Sequence, residues 1–190
     1  LFLCVMPIGS GAAANLWSAV AVDWRASAGT VALVTGILGG GLSALGCLLG
    51  GWVCDQMDRK TAYVAYGLLQ AACAVGMALA PRTQGMYILW TCAYAVITGL
   101  TYAGFSAFVL DAIEAGAAAT KYNALTSLSN APITCMVLLD GWAHTRWGAK
   151  GMLHAEALMG LIGMGAFLAL ATLVHRMWAD PGPAPLPLPE

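Results

Sequence analysis

Charge is what this sequence has least of. Lys and Arg together number 8 and Asp and Glu 9, so 9 % of the 190 residues are charged and the formal net charge is −1. A soluble domain of this length needs far more polar surface than that. There is no basic stripe to follow a phosphate backbone, so nucleic acid is not expected as a partner. The six cysteines, Cys4, Cys47, Cys54, Cys73, Cys92 and Cys135, show neither metal-ligand nor disulfide spacing. They lie within or at the ends of apolar runs and read as small packing residues. No phosphate-binding loop or metal cluster is present, and no cofactor is expected. Gly104-Phe105-Ser106-Ala107 lacks the final glycine of the G-x-S-G of an intramembrane serine protease. Asp140-Gly141 opens like a headgroup transferase motif, but Ala143 and Arg146 fall at the wrong offsets and the later aspartates are missing. These gaps weigh against a membrane-embedded enzyme, which stays the alternative together with a non-transporting membrane subunit. Strict apolar–polar alternation is also lacking, which argues against barrel strands.

What the sequence has is apolar length. Hydrophobic residues make up 60 % of it, and the mean hydropathy is +0.77. The few charges cut the chain into six runs: Leu1 to Val22, Ala26 to Cys54, Thr61 to Ala80, Thr83 to Leu110, Tyr122 to about Trp142, and Gly151 to Val174. Each approaches or reaches the roughly 20 residues that carry a helix across the hydrocarbon core. In lipid, backbone groups must be satisfied within the segment, so each run is expected to be a helix. The expected fold is an all-α membrane protein of six transmembrane helices over residues 1–178. A Pro-rich tail over 179–190 is expected to be extended and disordered. Leu1 opens inside an apolar run without a basic leader, so the chain is expected to begin within a span. Lys and Arg divide four against four between the two faces, and the positive-inside rule does not orient the bundle.

The densest charge is the turn between the second and third runs, Gly51-Trp52-Val53-Cys54-Asp55-Gln56-Met57-Asp58-Arg59-Lys60. It resembles the G-x-x-x-D-[RK]-x-G-R-[RK] loop of the major facilitator superfamily, which lies between the second and third helices of each six-helix half. Gly51, Asp55, Arg59 and Lys60 match in place, whereas Gln56 replaces a basic residue and Asp58 a glycine. A second stretch, Ala119-Thr120-Lys121-Tyr122-Asn123-Ala124-Leu125-Thr126-Ser127-Leu128, is similar to a segment of muropeptide-permease-like and acetyl-CoA-transporter-like facilitators. The resemblance implies the C-terminal half of a secondary carrier in a bacterial inner membrane. It also implies a missing N-terminal six-helix half as partner, and a small-molecule substrate whose movement is open to proton coupling. Asp55 would then face the start of the fifth helix, where a carboxylate meets free N–H groups. Arg59, with Lys60 beside it, would bridge Asp55 to Asp111 or Glu114 as a cytoplasmic gate.

Polar residues at mid-span are costly unless paired or facing a wet cavity. Asn15, Thr98, Tyr102 and Asn130 are therefore the candidates for a substrate pathway, which such carriers place near the midplane. Gly36/Gly40 and Gly46/Gly50 have small-xxx-small spacing and predict close helix packing. Asp140 and Glu156, near His144 and His154, are the acids closest to a membrane interior. Arg146 and Lys150 lie close in sequence, so an interfacial ion pair is expected, with Trp142 and Trp147 in an aromatic belt.

Overall fold

Apolar runs without internal prolines become long helices, and short polar turns separate them. The computed structural model describes residues 8–9, 11–113 and 118–179, without the side chains of 112 and 174–179. Helix α1 spans Ala28–Gln56, α2 Arg59–Leu79, α3 Gln84–Ala112, α4 Ala118–Leu128 and α5 Asn130–Ala179. Among the described residues, four helical runs are long and apolar enough to cross a membrane: α1, α2, α3, and α4 with α5 taken together. The chain has the all-α, multi-pass fold of an integral membrane protein. Of the tail expected over 179–190, Ala179 still ends α5, and residues 180–190, like Cys4 and Glu114, lie outside the described residues.

Starts are set by side-chain caps. The Ser27 hydroxyl accepts from Thr30 N–H, the Asp58 carboxylate from Thr61 N–H, and the Thr83 hydroxyl from Met86 N–H. Each satisfies a helix N–H that has no carbonyl four residues back. Asp58, where the facilitator pattern has glycine, is thus the cap of α2.

The first expected span is not one regular helix in its described part. Gly9 and Gly11 have φ of 53° and 66°, a left-handed backbone that a helix cannot run through. From Ala12 the chain makes a 3₁₀ turn to Leu16, a single α-turn Trp17–Val20 and a second 3₁₀ turn Ala21–Trp24. Trp17, Val20, Ala21 and Trp24 are buried against Met77 of α2, Tyr87 and Tyr94 of α3, and Met152, Leu153 and Ala157 of α5. The N-terminal segment fills the space between those helices. Tyr87 holds it by donating a hydrogen bond to the Trp17 carbonyl at 3.0 Å.

The fifth and sixth runs form one bent unit. Pro132 has no N–H to offer the Leu128 carbonyl, and the helix breaks at Ser129 between α4 and α5. A second break falls at Gly148, where φ 67° and ψ −169° leave helical space. Tyr122 of α4 bonds Ser106 of α3, and Phe167, beyond the bend, packs on Tyr63 of α2. The two limbs therefore fold back on each other as a hairpin with Gly148 at its apex.

Helices α1 and α3 meet backbone to backbone. A Cβ on Gly46 would drive into the Val96 carbonyl, and one on Gly99 into the Ser43 carbonyl. At Gly50 a Cβ would lie 2.9 Å from Leu100 Cα. The Gly46/Gly50 spacing is used as the sequence predicts. Gly36 and Gly40 have nothing within 4 Å and take no part in this seam.

Candidate functional site

Two places collect polar groups: the bundle interior around Tyr94 and the rim at the Asp58–Arg59 turn. The interior place begins with an irregularity in α1. Val34–Leu38 is one turn of π-helix, which inserts an extra residue and turns the backbone. Gly39 follows, and a Cβ there would sit 2.6 Å from the Val34 carbonyl oxygen. Beside this bulge lies a cleft of about 200 Å³ between α1, α3 and the N-terminal segment. Thr35 and Ser43 line it from α1, Thr91, Tyr94 and Thr98 from α3, and Ala14 and Trp17 from the N-terminal segment. Tyr94 lies ten residues into α3, about 15 Å along its axis, near the middle of a core about 30 Å thick.

The three threonine hydroxyls of the cleft donate within their own helices. Thr35 donates to Val31 O, Thr91 to Tyr87 O and Thr98 to Tyr94 O. Gln70 of α2 crosses to this wall and donates from Nε2 to Thr98 Oγ1 at 3.4 Å. The Tyr94 ring stands edge-on to Trp17, with centroids 5.0 Å apart.

Behind Tyr94 are the two acids. The Tyr94 hydroxyl donates to Glu156 Oε1 at 2.8 Å. The carboxyl of Asp140 faces that of Glu156. Asp140 is 0 % exposed and Glu156 4 %. The expected interfacial ion pair is therefore corrected. Each acid stands eight residues from Gly148, about 12 Å along its limb, well below the apex. Arg146 and Lys150 stay exposed at the apex, and no donor reaches either oxygen of Asp140. Trp142 and Trp147 are exposed there and stack edge-on at 4.9 Å, as a belt pair would.

The other pathway candidates are scattered. Thr98 is in the cleft wall. Asn15 follows Ala14 at the cleft edge, but its side chain is exposed and bonds its own turn at Ala12 O, 3.1 Å. Tyr102 is exposed on α3. Asn130 is exposed at the α4–α5 break and reaches back to Thr126 O at 3.5 Å. Sequence reasoning passed over Gln70. Its signal was a lone amide in the middle of an apolar run.

At the rim, Arg59 pairs with Asp111 at 3.2 Å and reaches the Ala107 carbonyl at 3.5 Å. This ties the start of α2 to the end of α3. Asp55 and Lys60 are exposed beside it, and among the described residues Asp55 has no ion-pair partner. The Asp58 carboxylate takes both Thr61 N–H and the Thr61 hydroxyl at 2.9 Å. The Thr61 amide first, then its hydroxyl and the nearby Lys60 charge, hold the Asp58 carboxyl below the usual carboxylate range. At the opposite end of the bundle Arg82 pairs with Asp23 at 3.7 Å and lies over the Trp24 ring.

No family model matches this chain, and no curated protein matches it.

Proposed function

We propose that this chain is one half, the C-terminal one, of a secondary carrier of the major-facilitator kind, which moves a small solute by alternating access across a bacterial inner membrane. The observation that carries the reading is the hydroxyl-lined cleft at mid-bundle. It lies beside a π-bulge, where a helix in lipid is least regular, and carriers place their cargo at such broken helices near the midplane. Thr98 contributes to the cargo wall. Asn15, Tyr102 and Asn130 are exposed, and serve the pathway from the surface turned toward the partner half. The Arg59–Asp111 clamp supports a gate at the rim, to which the charged-turn resemblance adds Asp55, Lys60 and Glu114.

The test is uptake of a panel of small solutes into proteoliposomes. The full-length protein is expected to take up one of them saturably, and residues 1–190 alone none, because one half supplies one wall of the cavity. Saturable uptake by the monomeric 1–190 chain would overturn the half-carrier assignment. No uptake of any solute by the full-length protein points to a non-transporting subunit, and chemical turnover of a panel member to an enzyme.

A further inference from the structure

We infer that the rim of the bundle opposite the Arg59 turn binds the headgroups of anionic phospholipids, through Arg25, Arg82, Arg146 and Lys150 set around two exposed tryptophans. The inference rests on the chain being a membrane protein and not on its being a carrier.

The two rims differ in charge. Among the described side chains, Arg59, Lys60 and Lys121 share the first rim with Asp55, Asp58 and Asp111, and the charges cancel. The opposite rim has four cations, Arg25, Arg82, Arg146 and Lys150, against one acid, Asp23. Arg82 takes that acid at 3.7 Å. Arg25, Arg146 and Lys150 are exposed and have no ion-pair partner among the described residues.

Three separate stretches of chain bring these cations to one end of the bundle, and Trp24 marks the place. Its ring is buried in the cluster that also holds Ala78 at the end of α2, Tyr87 at the start of α3 and Ala149 beside the apex of α5. Arg82 lies over the ring, with the guanidinium carbon 5.6 Å from the centroid. Arg25 follows Trp24 in the chain, and Lys150 follows Ala149. Arg146 and Lys150 flank Gly148, where a side chain would meet nothing within 4 Å.

Cations alone would suit any polyanion. Here Trp142 and Trp147 are exposed beside them, edge-on to each other. Trp147 folds over Gly151, whose missing Cβ makes the room. Val22, close to Arg25 in its turn, is exposed as well. Indole rings settle at the boundary between hydrocarbon and headgroups. Basic side chains at that level meet the negative surface of anionic lipid, and their apolar stems lie along the acyl chains.

Arg25 is held at this rim against its backbone preference. Its φ of 53° is the left-handed conformation that glycine, and after it asparagine, takes with least penalty. The turn needs that conformation: Arg25 N–H donates to Val22 O at 3.1 Å and Ala26 N–H to Ala21 O at 3.0 Å. It does not need the charge, because a glycine would close the same two bonds. The guanidinium is there for what it meets outside the bundle.

The purified chain in detergent is titrated with phosphatidylglycerol or phosphatidylcholine carrying brominated acyl chains. The signal is the part of the tryptophan quenching that Trp142→Phe/Trp147→Phe removes. Phosphatidylglycerol is expected to reach half-quenching at a several-fold lower mole fraction than phosphatidylcholine. Arg146→Gln/Lys150→Gln should bring the two lipids close to parity with unchanged helix content by circular dichroism. Salt at 1 M, where screening acts within about 3 Å, should do the same to the wild type. Arg25→Gly is expected to shrink the preference while its melting temperature holds or rises, a pairing that a merely structural arginine would not give. Equal quenching by both lipids in the wild type overturns the site, as does a folded double variant that keeps the preference. Loss of the preference to inorganic phosphate, at an ionic strength where sodium chloride leaves it intact, overturns the lipid as occupant. An Arg25→Gly chain that melts lower and keeps the preference overturns the place of Arg25 in the site. None of these readouts involves transport, so the carrier assignment stands or falls separately.

Discussion

The same three helices are held in two different ways at two depths. Within the membrane, α1 and α3 touch through Gly46, Gly50 and Gly99, with carbonyls and Cα atoms in direct contact and only the Ala103 methyl beside Gly50. At the rim, α2 is tied to α3 by Arg59 and Asp111, whose side chains are 40 % and 61 % exposed. The seam is dry and short-ranged. It tolerates no change in separation, because packed backbones have nothing to rearrange. The rim contact is wet, screened and made by two long side chains. Such pairs contribute only about 0.2–1 kcal/mol. A bundle that must change shape while staying assembled can leave the first intact and break the second.

The seam gives the largest expected effect. Gly46→Ala places a methyl group against the Val96 carbonyl, and the helices must separate to admit it. Overpacking of this kind costs about 1–3 kcal/mol. Gly40→Ala, on the same helix where nothing lies within 4 Å, is expected to have the opposite sign. It stabilises by about 0.5–1 kcal/mol, because alanine loses less backbone entropy than glycine in a helix. Thermal unfolding of the two variants in the same detergent measures both. Equal shifts would remove the distinction between the seam and the rest of α1.

Next in size is the cap at the turn. Asp58→Ala removes the acceptor of Thr61 N–H and its hydroxyl, and such a loss costs about 1 kcal/mol. The folded protein holds this carboxyl below its ordinary value. A depressed carboxyl stabilises fully above the unfolded value, about 3.9, and that stability is lost as pH falls through the lower folded value. The difference in melting temperature between wild type and Asp58→Ala should be flat near neutrality and shrink below about pH 4. A difference that instead grows in acid would assign the effect to another group.

The seam was legible in the sequence, and the interior polar cluster was not. Small-xxx-small spacing is local, so Gly46/Gly50 could be read from one run, although the equal spacing of Gly36/Gly40 leads to open space. The Arg59–Asp111 pair joins residues far apart in sequence, and only the charged-turn resemblance pointed to it. Asp140 and Glu156 were visible as acids near a membrane interior. What sequence distance hid was the bend: Arg146 and Lys150 are close along the chain, but a hairpin at Gly148 puts them at its apex and the acids about 12 Å deeper. Tyr94 and Gln70 come from two further helices, and nothing in their own runs says that one face meets Glu156 and the other Thr98. The first run misled for a similar reason. Its hydropathy suits a span, but Gly9 and Gly11 adopt a left-handed backbone that hydropathy does not register.

The smallest expected effect in free energy is at Arg59, and it bears most directly on the comparison. Arg59→Gln removes the charge that meets Asp111 but leaves a side chain of similar reach. At these exposures the loss is at most about 1 kcal/mol, so the melting temperature should hardly move. A change of that size still shifts a two-state equilibrium up to about fivefold. Cys54 reports on it, because it is buried at this end of α1 with Ala62 and Tyr66, and Ala107 packs against that cluster. Ala107 is also the residue whose carbonyl Arg59 touches. Thiol modification of Cys54, followed by mass spectrometry of its peptide, should speed up as much as fivefold in Arg59→Gln. Raising salt to 1 M, where screening acts within about 3 Å, should speed the wild type toward the variant and leave the variant unchanged. If the rate ignores both the substitution and the salt, the Arg59–Asp111 pair holds nothing closed, and the rim is as fixed as the seam.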